Sequence, residues 1–209
     1  MSALRRADGY AYAEEAGSEG APTFLLFHGT GGDERQFTPL ARQLLPGARL
    51  IAPRGDVSEG GAPRFFRRAA EGVYDMDDLA ARTTRMADFV AARKAEGGGP
   101  VIGLGYSNGA NILASVILAR PDLFDAAVLL HPLIPWEPAP VPIATRVLIT
   151  AGERDPICPA PLTARLARWF EDQGAPTTLH WHPGGHEVDR SEITAISRFL
   201  ERERGRTAA

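Results

Sequence analysis

The sequence contains a single cysteine, Cys158, among its 209 residues. One thiol cannot form an internal disulfide framework or supply a zinc site made of several cysteines, so both are excluded. Sparse cysteine usage is typical of a reducing compartment, and we therefore expect a cytoplasmic protein. Because no histidine flanks Cys158 in the sequence, we interpret this residue as a small apolar one.

A strong charge and long apolar runs are also missing. The formal net charge is -3 at pH 7, from 23 Lys and Arg against 26 Asp and Glu. Without a basic excess, we expect no nucleic-acid partner and no stable membrane association. The longest apolar runs have the length of a strand and are too short to cross a bilayer. The first ten residues contain two arginines but no apolar region follows, so we expect no signal peptide there.

Short apolar runs alternate with helical patterns along the chain. The patterns predict strands at 10–15 (an edge strand), 23–27, 49–52, 101–104, 126–130, 146–150 and 177–182. They predict helices at 36–45, 77–96, 110–119, 161–171 and 188–203. This alternation indicates an α/β fold with a mostly parallel central sheet and helices on both faces. We expect one domain over 1–209, with its core at about 23–203.

The segment GYSNG (105–109) stands between an apolar run and a helical pattern. In that context G-x-S-x-G is the signature of a nucleophile elbow, in which glycines leave room around a serine on a sharp turn. The glycines at 103, 105 and 109 also resemble a dinucleotide-binding loop. Their spacing is one residue too long, however, and no acidic residue ends a strand about 20 residues on. We therefore interpret Ser107 as a nucleophile.

A second glycine-rich segment, His28 to Glu34, follows a buried apolar run. His-Gly and small residues at the end of such a strand resemble the loop that supplies an oxyanion donor. We assign the two donors to the backbone N–H groups of Thr30 and Asn108. The alternative is a loop at a helix start capped by Asp33, and both descriptions can hold together. His28 itself is interpreted as a hydrogen-bonded structural histidine.

An acid and a histidine follow the last two predicted strands. Asp155, in AGERDP, has the better spacing after a glycine turn than Glu153; the alternative is a helix cap. His186 follows a Pro-Gly-Gly turn that can bring its ring back over the sheet, whereas His180 and His182 lie within the strand. Three histidines could suggest a metal, but they alternate along a strand without a carboxylate cluster. We therefore expect no metal and no cofactor.

Two irregular segments are predicted to line a substrate pocket. One is the long loop 54–74, which contains Phe residues between arginines, and the other is the proline-rich segment 131–142 after a strand end. The alternatives are a solvated loop pinned by one Phe and ordinary packing. The predicted pocket residues are Arg64, near the mouth, and Phe65, Phe66, Leu133 and Ile134, with Trp136 as a further candidate.

Ser107, Asp155 and His186 each follow a strand, in the chain order nucleophile, acid, histidine. This is the order of the α/β-hydrolases. Their residue types predict attack of a serine on a carbonyl carbon, with the histidine as base and the acid holding its tautomer.

The chain resembles the small bacterial carboxylesterase/phospholipase family, which is acyl-protein-thioesterase-like, and within it the MhqD-like hydrolase branch. The matching segments are LLFHGTGGDE (25–34), APRG (52–55), RFFRR (64–68), GYSNGAN (105–111), AGERDPICP and GGHE. The resemblance implies an α/β-hydrolase fold without a separate cap domain and hydrolysis of short-to-medium-chain esters. Its partner would be a small-molecule ester. Relatives often dimerise, which leaves a homodimer open.

The same triad would also serve an acyl thioesterase or a lysophospholipase, since the acyl carbonyl is attacked identically. A dienelactone-hydrolase-like activity is disfavoured, because that chemistry is associated with a cysteine nucleophile at the elbow, whereas this chain has Ser107 there. A non-catalytic binding protein on the same fold is disfavoured as well, because all three triad positions and the oxyanion loop are intact.

Overall fold

The computed structural model describes residues 4–207, with the side chains of 4–201. Residues 1–3 and 208–209 lie outside the described residues. Both ends belong to the predicted domain 1–209, and residues 1–3 also belong to the stretch that we expect not to be a signal peptide.

Strands and helices alternate, as the apolar patterns predict. The strands are β1 (Arg5–Ala7), β2 (Tyr10–Glu15), β3 (Thr23–Phe27), β4 (Arg49–Pro53), β5 (Val57–Glu59), β6 (Ala62–Arg64), β7 (Arg68–Ala70), β8 (Val73–Tyr74), β9 (Val101–Tyr106), β10 (Ala126–Leu130), β11 (Arg146–Gly152) and β12 (Thr177–His182). The helices are α1 (Thr38–Leu44), α2 (Met76–Ala95), α3 (Asn108–Ala119), α4 (Ala160–Asp172) and α5 (Arg190–Thr207).

Eight strands form one sheet in the order β1-β2-β4-β3-β9-β10-β11-β12. The pairs β1–β2 and β2–β4 are antiparallel, and every pair from β4 to β12 is parallel. Parallel strands end at the same edge of a sheet. The segments after β3, β9, β10, β11 and β12 are therefore brought together, which is where open α/β sheets bind ligands.

The central strand β3 is buried on both faces. Phe24 and Leu26 pack into an apolar cluster with residues of α1 and α5. Leu25 and Phe27 point the other way, into a cluster with residues of α2, α3 and α4. A continuous apolar run is what a strand covered on both faces requires. The fold is thus a single-domain α/β fold with helices on both faces of a mostly parallel sheet.

Two predicted features were wrong. Strand β2 is not the edge of the sheet, because β1 pairs beyond it. The segment 54–74 is not an irregular loop but holds two short hairpins, β5–β6 and β7–β8. Gly60 and Gly61 form the two-residue turn of the first, with φ of +59° and +92°. Such a Gly-Gly pair is a hairpin signal, because L-residues rarely adopt these angles.

The predicted proline-rich segment 131–142 does lack regular structure. Helix bounds differ from the prediction by at most four residues, most at the end of α5, which extends to Thr207. Helix α1 begins at Thr38, with Pro39 in its first turn. Among the described residues, no helix combines the length and the apolar character needed to cross a membrane.

Candidate active site

Ser107 lies between β9 and α3 in a strained conformation, with φ of 52° and ψ of -116°. A Cβ at Gly105 would come within 2.5 Å of Gly109 O, and one at Gly109 within 2.2 Å of Phe27 O. Both glycines are therefore required for the close approach of the strand, the turn and the first turn of the helix. A non-glycine residue held at such angles is characteristic of a functional site.

The structure brings His186 and Asp155 to this serine. His186 Nε2 lies 2.9 Å from Ser107 Oγ, and His186 Nδ1 lies 2.7 Å from Asp155 Oδ2. Glu153, the alternative acid, is exposed, and its backbone N–H donates to His182 O. The three side chains thus form an unbroken line of hydrogen bonds from a buried carboxylate to a hydroxyl.

The carboxylate of Asp155 is fully enclosed and saturated with donors. Its Oδ1 accepts the backbone N–H groups of Ile157 at 2.8 Å and Cys158 at 2.9 Å. Burial alone would raise the pKa of Asp155, but the Cys158 N–H and the bond from His186 outweigh it and hold the pKa below its ordinary value. The acid is therefore ionised at neutral pH.

The turn before His186 is fixed against the end of β11. A Cβ at Gly152 would lie 2.0 Å from Gly185 O, so only glycine permits this approach. The Tyr106 hydroxyl donates to His186 O at 2.7 Å, and their rings lie 5.3 Å apart. These contacts hold the imidazole above the serine.

The two residues predicted to supply the oxyanion donors, Thr30 and Asn108, line the same cavity as Ser107. Asn108 is the first residue of α3, where backbone N–H groups have no partner within the helix. Thr30 follows β3, and the N–H groups on either side are bound: Gly29 N–H donates to Gln36 Oε1 at 2.9 Å and Gly31 N–H to Pro63 O at 3.0 Å. The loop is thus anchored around Thr30.

His28 is held by hydrogen bonds as a structural residue would be. Its Nδ1 donates to Gly29 O at 2.7 Å, while its Nε2 accepts the Gly55 N–H at 2.8 Å. Burial lowers the pKa of His28, so the ring is neutral. It ties the oxyanion loop to the segment after β4.

A cavity of about 260 Å³ opens beside Ser107. Polar and apolar side chains share its wall. It is lined by Thr30, Arg64, Arg68, Glu71, Tyr74, Tyr106, Ser107, Asn108, Asn111, Leu133, Ile157, Cys158 and His186. The volume is near the lower end of the range for small-molecule sites.

Of the five predicted pocket residues, Arg64 and Leu133 line this cavity. The prediction was wrong for Phe65, Phe66 and Ile134, which are buried in the core. Phe65 packs edge-on against Phe27 at 5.8 Å, and its N–H donates to Asn108 Oδ1. This bond fixes the backbone next to the elbow. With the backbone held there, the rings of Phe65 and Phe66 pack into the core instead of lining the cavity.

Arg64 lies in the wall rather than near the mouth, and only 2% of it is exposed. Its Nη1 donates to Thr30 Oγ1 at 2.8 Å, and its Nε donates to Phe66 O at 3.2 Å. An ion pair with Glu59 at 3.2 Å balances its charge. Arg64 therefore braces the oxyanion loop, a role that the sequence did not indicate.

Two further residues were missed, His131 and Glu192. His131 Nδ1 lies 2.9 Å from Asp155 Oδ2, and His131 Nε2 lies 3.1 Å from Glu192 Oε1. All three side chains are fully buried. The only signals in the sequence were a histidine directly after a buried strand and an acid in the first turn of the last helix.

This cluster also supplies the carboxylates that the argument against a metal had assumed absent. His131, His182 and Glu192 lie close enough to share an ion, as do His131, Asp155 and His186. A ligating histidine normally donates its second ring N–H and binds through the other nitrogen. His182 Nδ1 instead accepts the Gly184 N–H at 3.1 Å, so its Nε2 carries the proton. Its hydrogen bonding does not fit a metal ligand.

The model of the dienelactone hydrolase family matches residues 61–190, more than half of the chain. MhqD of Bacillus subtilis (strain 168), an inferred hydrolase, is 41% identical over 173 residues, covering 80% of this chain and 86% of MhqD. The crystal structure of Atu2452, of unknown function, from Agrobacterium tumefaciens str. C58 is 56% identical, with a TM-score of 0.87 over 92% of this chain and 96% of that one. The Bacillus cereus carboxylesterase is 34% identical, with a TM-score of 0.85 over 92% and 94%.

Proposed function

The chain belongs to the dienelactone hydrolase family and is a carboxylic-ester hydrolase, and on that premise we propose that it is a serine carboxylesterase for short-to-medium-chain esters, acting through an acyl-serine intermediate. The family match describes the domain and does not determine the nucleophile. At the elbow of this chain the nucleophile is Ser107 rather than a cysteine. The observation that carries the proposal is the line Asp155–His186–Ser107, which ends at the wall of a cavity.

In the acylation step, Ser107 Oγ attacks the ester carbonyl carbon while His186 Nε2 takes the hydroxyl proton. Asp155 accepts from His186 Nδ1, which keeps Nε2 free to act as a base and stabilises the imidazolium that forms. The N–H groups of Thr30 and Asn108 bind the oxyanion, and one such donor is worth about 3 kcal/mol. The C–O bond then breaks, and the alcohol leaves with the proton from His186.

Deacylation repeats these roles with water as the nucleophile. His186 takes a proton from the water as it attacks the acyl carbonyl, and then returns a proton to Ser107 Oγ as the carboxylic acid leaves. The same two backbone N–H groups bind the second oxyanion.

The cavity supports a small substrate. Its volume of about 260 Å³ suits a short acyl chain, and Leu133 and Ile157 offer the chain apolar contact. A lysophospholipid would exceed this space, so the structure gives no observation that favours that alternative. We expect the rate to be highest for acyl chains of about two to six carbons.

The test is a series of initial rates on p-nitrophenyl esters from acetate to dodecanoate, for the wild type and Ser107→Ala. Ser115→Ala is the matched control, because Ser115 lies on α3, directly after the elbow, and its hydroxyl donates to Asn111 O. We expect the first variant to lose essentially all activity, and the second to retain it. A folded wild type that hydrolyses no ester and no acyl thioester would overturn the proposal in favour of a binding protein.

A further inference from the structure

A second imidazole shares the acid with His186. Asp155 Oδ2 lies 2.7 Å from His186 Nδ1 and 2.9 Å from His131 Nδ1, while two backbone N–H groups occupy Oδ1. A carboxylate offers about four acceptor positions. All of them are used, so His131 is one of the groups that orient the acid.

The backbone of His131 is in an uncommon conformation. It adopts φ of +50° directly after β10, in the left-handed region that few non-glycine residues enter. Its N–H donates to Thr150 O at 2.8 Å, and its carbonyl accepts the Cys158 thiol at 3.2 Å. Non-glycine residues in this conformation cluster at functional sites, in agreement with the place of His131 beside Asp155.

Glu192 closes the far side of the ring. Its Oε1 lies 3.1 Å from His131 Nε2 and accepts the Thr150 hydroxyl at 2.5 Å, while Oε2 accepts the Asp189 N–H at 2.6 Å. The contact with His131 is poorly aligned for a directional hydrogen bond and acts as an ion pair. Burial opposes ionisation of Glu192, but the interaction with His131 and the hydrogen bond from Thr150 outweigh burial and lower the pKa of Glu192.

The geometry fixes the protonation of His131. Both ring nitrogens face carboxylate oxygens, and a neutral imidazole has only one N–H, which would leave a lone pair against an anion. Only the imidazolium satisfies both neighbours. In agreement with this, burial would lower the pKa of His131, but Glu192 and Asp155 outweigh burial and raise it.

The other groups around His131 add little charge. They are Tyr106, Cys158, His182, His186 and the exposed Glu187. Burial raises the pKa of Tyr106 to about 12 and raises that of Cys158 as well, so both stay neutral. His182 accepts a hydrogen bond at Nδ1 and is neutral too. With His186 neutral, the buried cluster therefore carries a charge of -1 when His131 is protonated and -2 when it is not.

We propose that His131 is a charged positioning residue, an imidazolium clamped between Asp155 and Glu192 that fixes the acid and moderates its attraction for the proton on His186. This proposal rests on the proposed function in one respect, the effect of His131 on the pH dependence of ester hydrolysis. It explains why a second buried carboxylate stands behind the triad: Glu192 keeps His131 charged, and His131 in turn offsets part of the charge of Asp155.

The kinetic test uses the acidic limb of kcat/KM against pH, which reports protonation of the general base. His131→Asn keeps an amide donor and a residue that tolerates the backbone conformation, but it removes the positive charge. We expect its acidic limb to move to higher pH by about one unit or more, because the cluster then carries -2. Adding Glu192→Gln restores -1 and should return the limb to the wild-type position.

His180→Asn is the matched control, because His180 bonds Ser191 and does not touch Asp155. Its limb should stay in place. A structural role alone would lower the rate of His131→Asn at every pH without moving the limb, and the double variant would then be worse than either single variant. Either result would overturn the kinetic role.

A second measurement needs no variant. The chain has five histidines, so 15N-histidine NMR of the wild type resolves each protonation state. One buried imidazole should keep both nitrogens protonated above pH 6.5, the ordinary pKa of histidine; if all five rings lose a proton at or below that pH, the clamp is wrong. This result is independent of ester turnover, so a failed activity assay and a failed clamp are told apart.

Discussion

Two acids, Glu153 and Asp155, stand two residues apart after β11, and only one faces the histidine. We expect Asp155→Asn to lower kcat by about 10³ to 10⁴ fold, because an amide can donate to His186 and stabilise the wrong tautomer. Glu153→Gln should change kcat less than twofold, since this side chain is exposed. Steady-state kinetics on a p-nitrophenyl ester measures both. Equal losses in the two variants would contradict the assignment of the acid.

The histidines of the same region divide in the same way. His186→Ala should abolish ester hydrolysis, because the base that contacts Ser107 Oγ is gone. His182→Ala should keep most of the activity and lose stability, since His182 is buried beside Glu192 at 3.5 Å. Kinetics together with urea unfolding separates the two effects. If His182→Ala loses as much activity as His186→Ala while remaining folded, the base has been misassigned.

Sequence patterns were sufficient to predict the three residues of the hydrogen-bonded line. Ser107 is marked by its flanking glycines, and the other two by a turn after a strand, which are all local signals. Glu192 and His131 carry no such mark. They are 61 residues apart in the chain and meet only because the end of β10 and the start of α5 converge in the fold. Side-chain pairing at that distance leaves no local pattern.

At the scale of elements, a ring of hydrogen bonds joins α3, β8 and the segment 131–142. The Leu133 N–H donates to Asn111 Oδ1 at 2.6 Å, Asn111 Nδ2 donates to the Tyr74 hydroxyl at 2.9 Å, and that hydroxyl donates to Leu133 O at 2.8 Å. The ring holds an otherwise irregular segment at the cavity wall. It explains how a proline-rich stretch without regular structure can supply a defined pocket surface.

We expect Tyr74→Phe to destabilise the protein by about 1 to 3 kcal/mol, because two buried groups lose their partner. It should also raise KM more than it lowers kcat, since Leu133 lines the cavity while the triad is untouched. Tyr12→Phe makes the same change in the apolar cluster against Phe89 and serves as control. Urea unfolding and ester kinetics measure the two effects. Identical behaviour of the two variants would show that the ring does not hold the segment.

The two hairpins in the segment 54–74 show why composition gave a wrong prediction of its structure. Abundant Gly, Pro and Arg suggested an irregular loop, yet the pair Gly60-Gly61 is itself the turn signal of β5–β6. This hairpin matters to the site, because Pro63 and Arg64 both bind the loop that contains Thr30. Composition describes a segment on average, whereas a hairpin is determined by its two turn residues.

For the whole molecule, the parallel sheet explains why the chain order was informative. Strands β9, β11 and β12 run in the same direction, so any residue directly after them reaches the same edge. Alternating apolar runs and helices predict that topology without knowledge of contacts. What they do not predict is which side chains turn into the core there, as Phe65 and Phe66 do, because this depends on a hydrogen bond from Phe65 N–H to Asn108.

The buried cluster behind Ser107 also makes folding stability depend on pH, and the two kinds of group act in opposite directions. Folding lowers the pKa values of Asp155 and Glu192 below 3.8 and 4.5, so their contribution is present above those values and is lost as acid protonates the folded state. Folding raises the pKa of His131 above 6.5, so its contribution is complete below 6.5 and declines as pH rises through the raised value. The cluster therefore stabilises the fold most between these limits.

The difference in unfolding free energy between the wild type and His131→Asn isolates the histidine. We expect this difference to be largest near pH 5.5 and to shrink as pH rises toward 9, by about 1.4 kcal/mol for each unit by which folding raises the pKa. Urea denaturation at steps of one pH unit measures it, and the corresponding difference for His180→Asn should lack this decline at alkaline pH. A His131→Asn difference that stays constant from pH 5 to 9 would mean that His131 binds its proton no more tightly in the folded protein than in the unfolded chain. The two carboxylates would then have to be held by hydrogen bonds alone, and removing Glu192 would no longer be expected to compensate for the loss of His131.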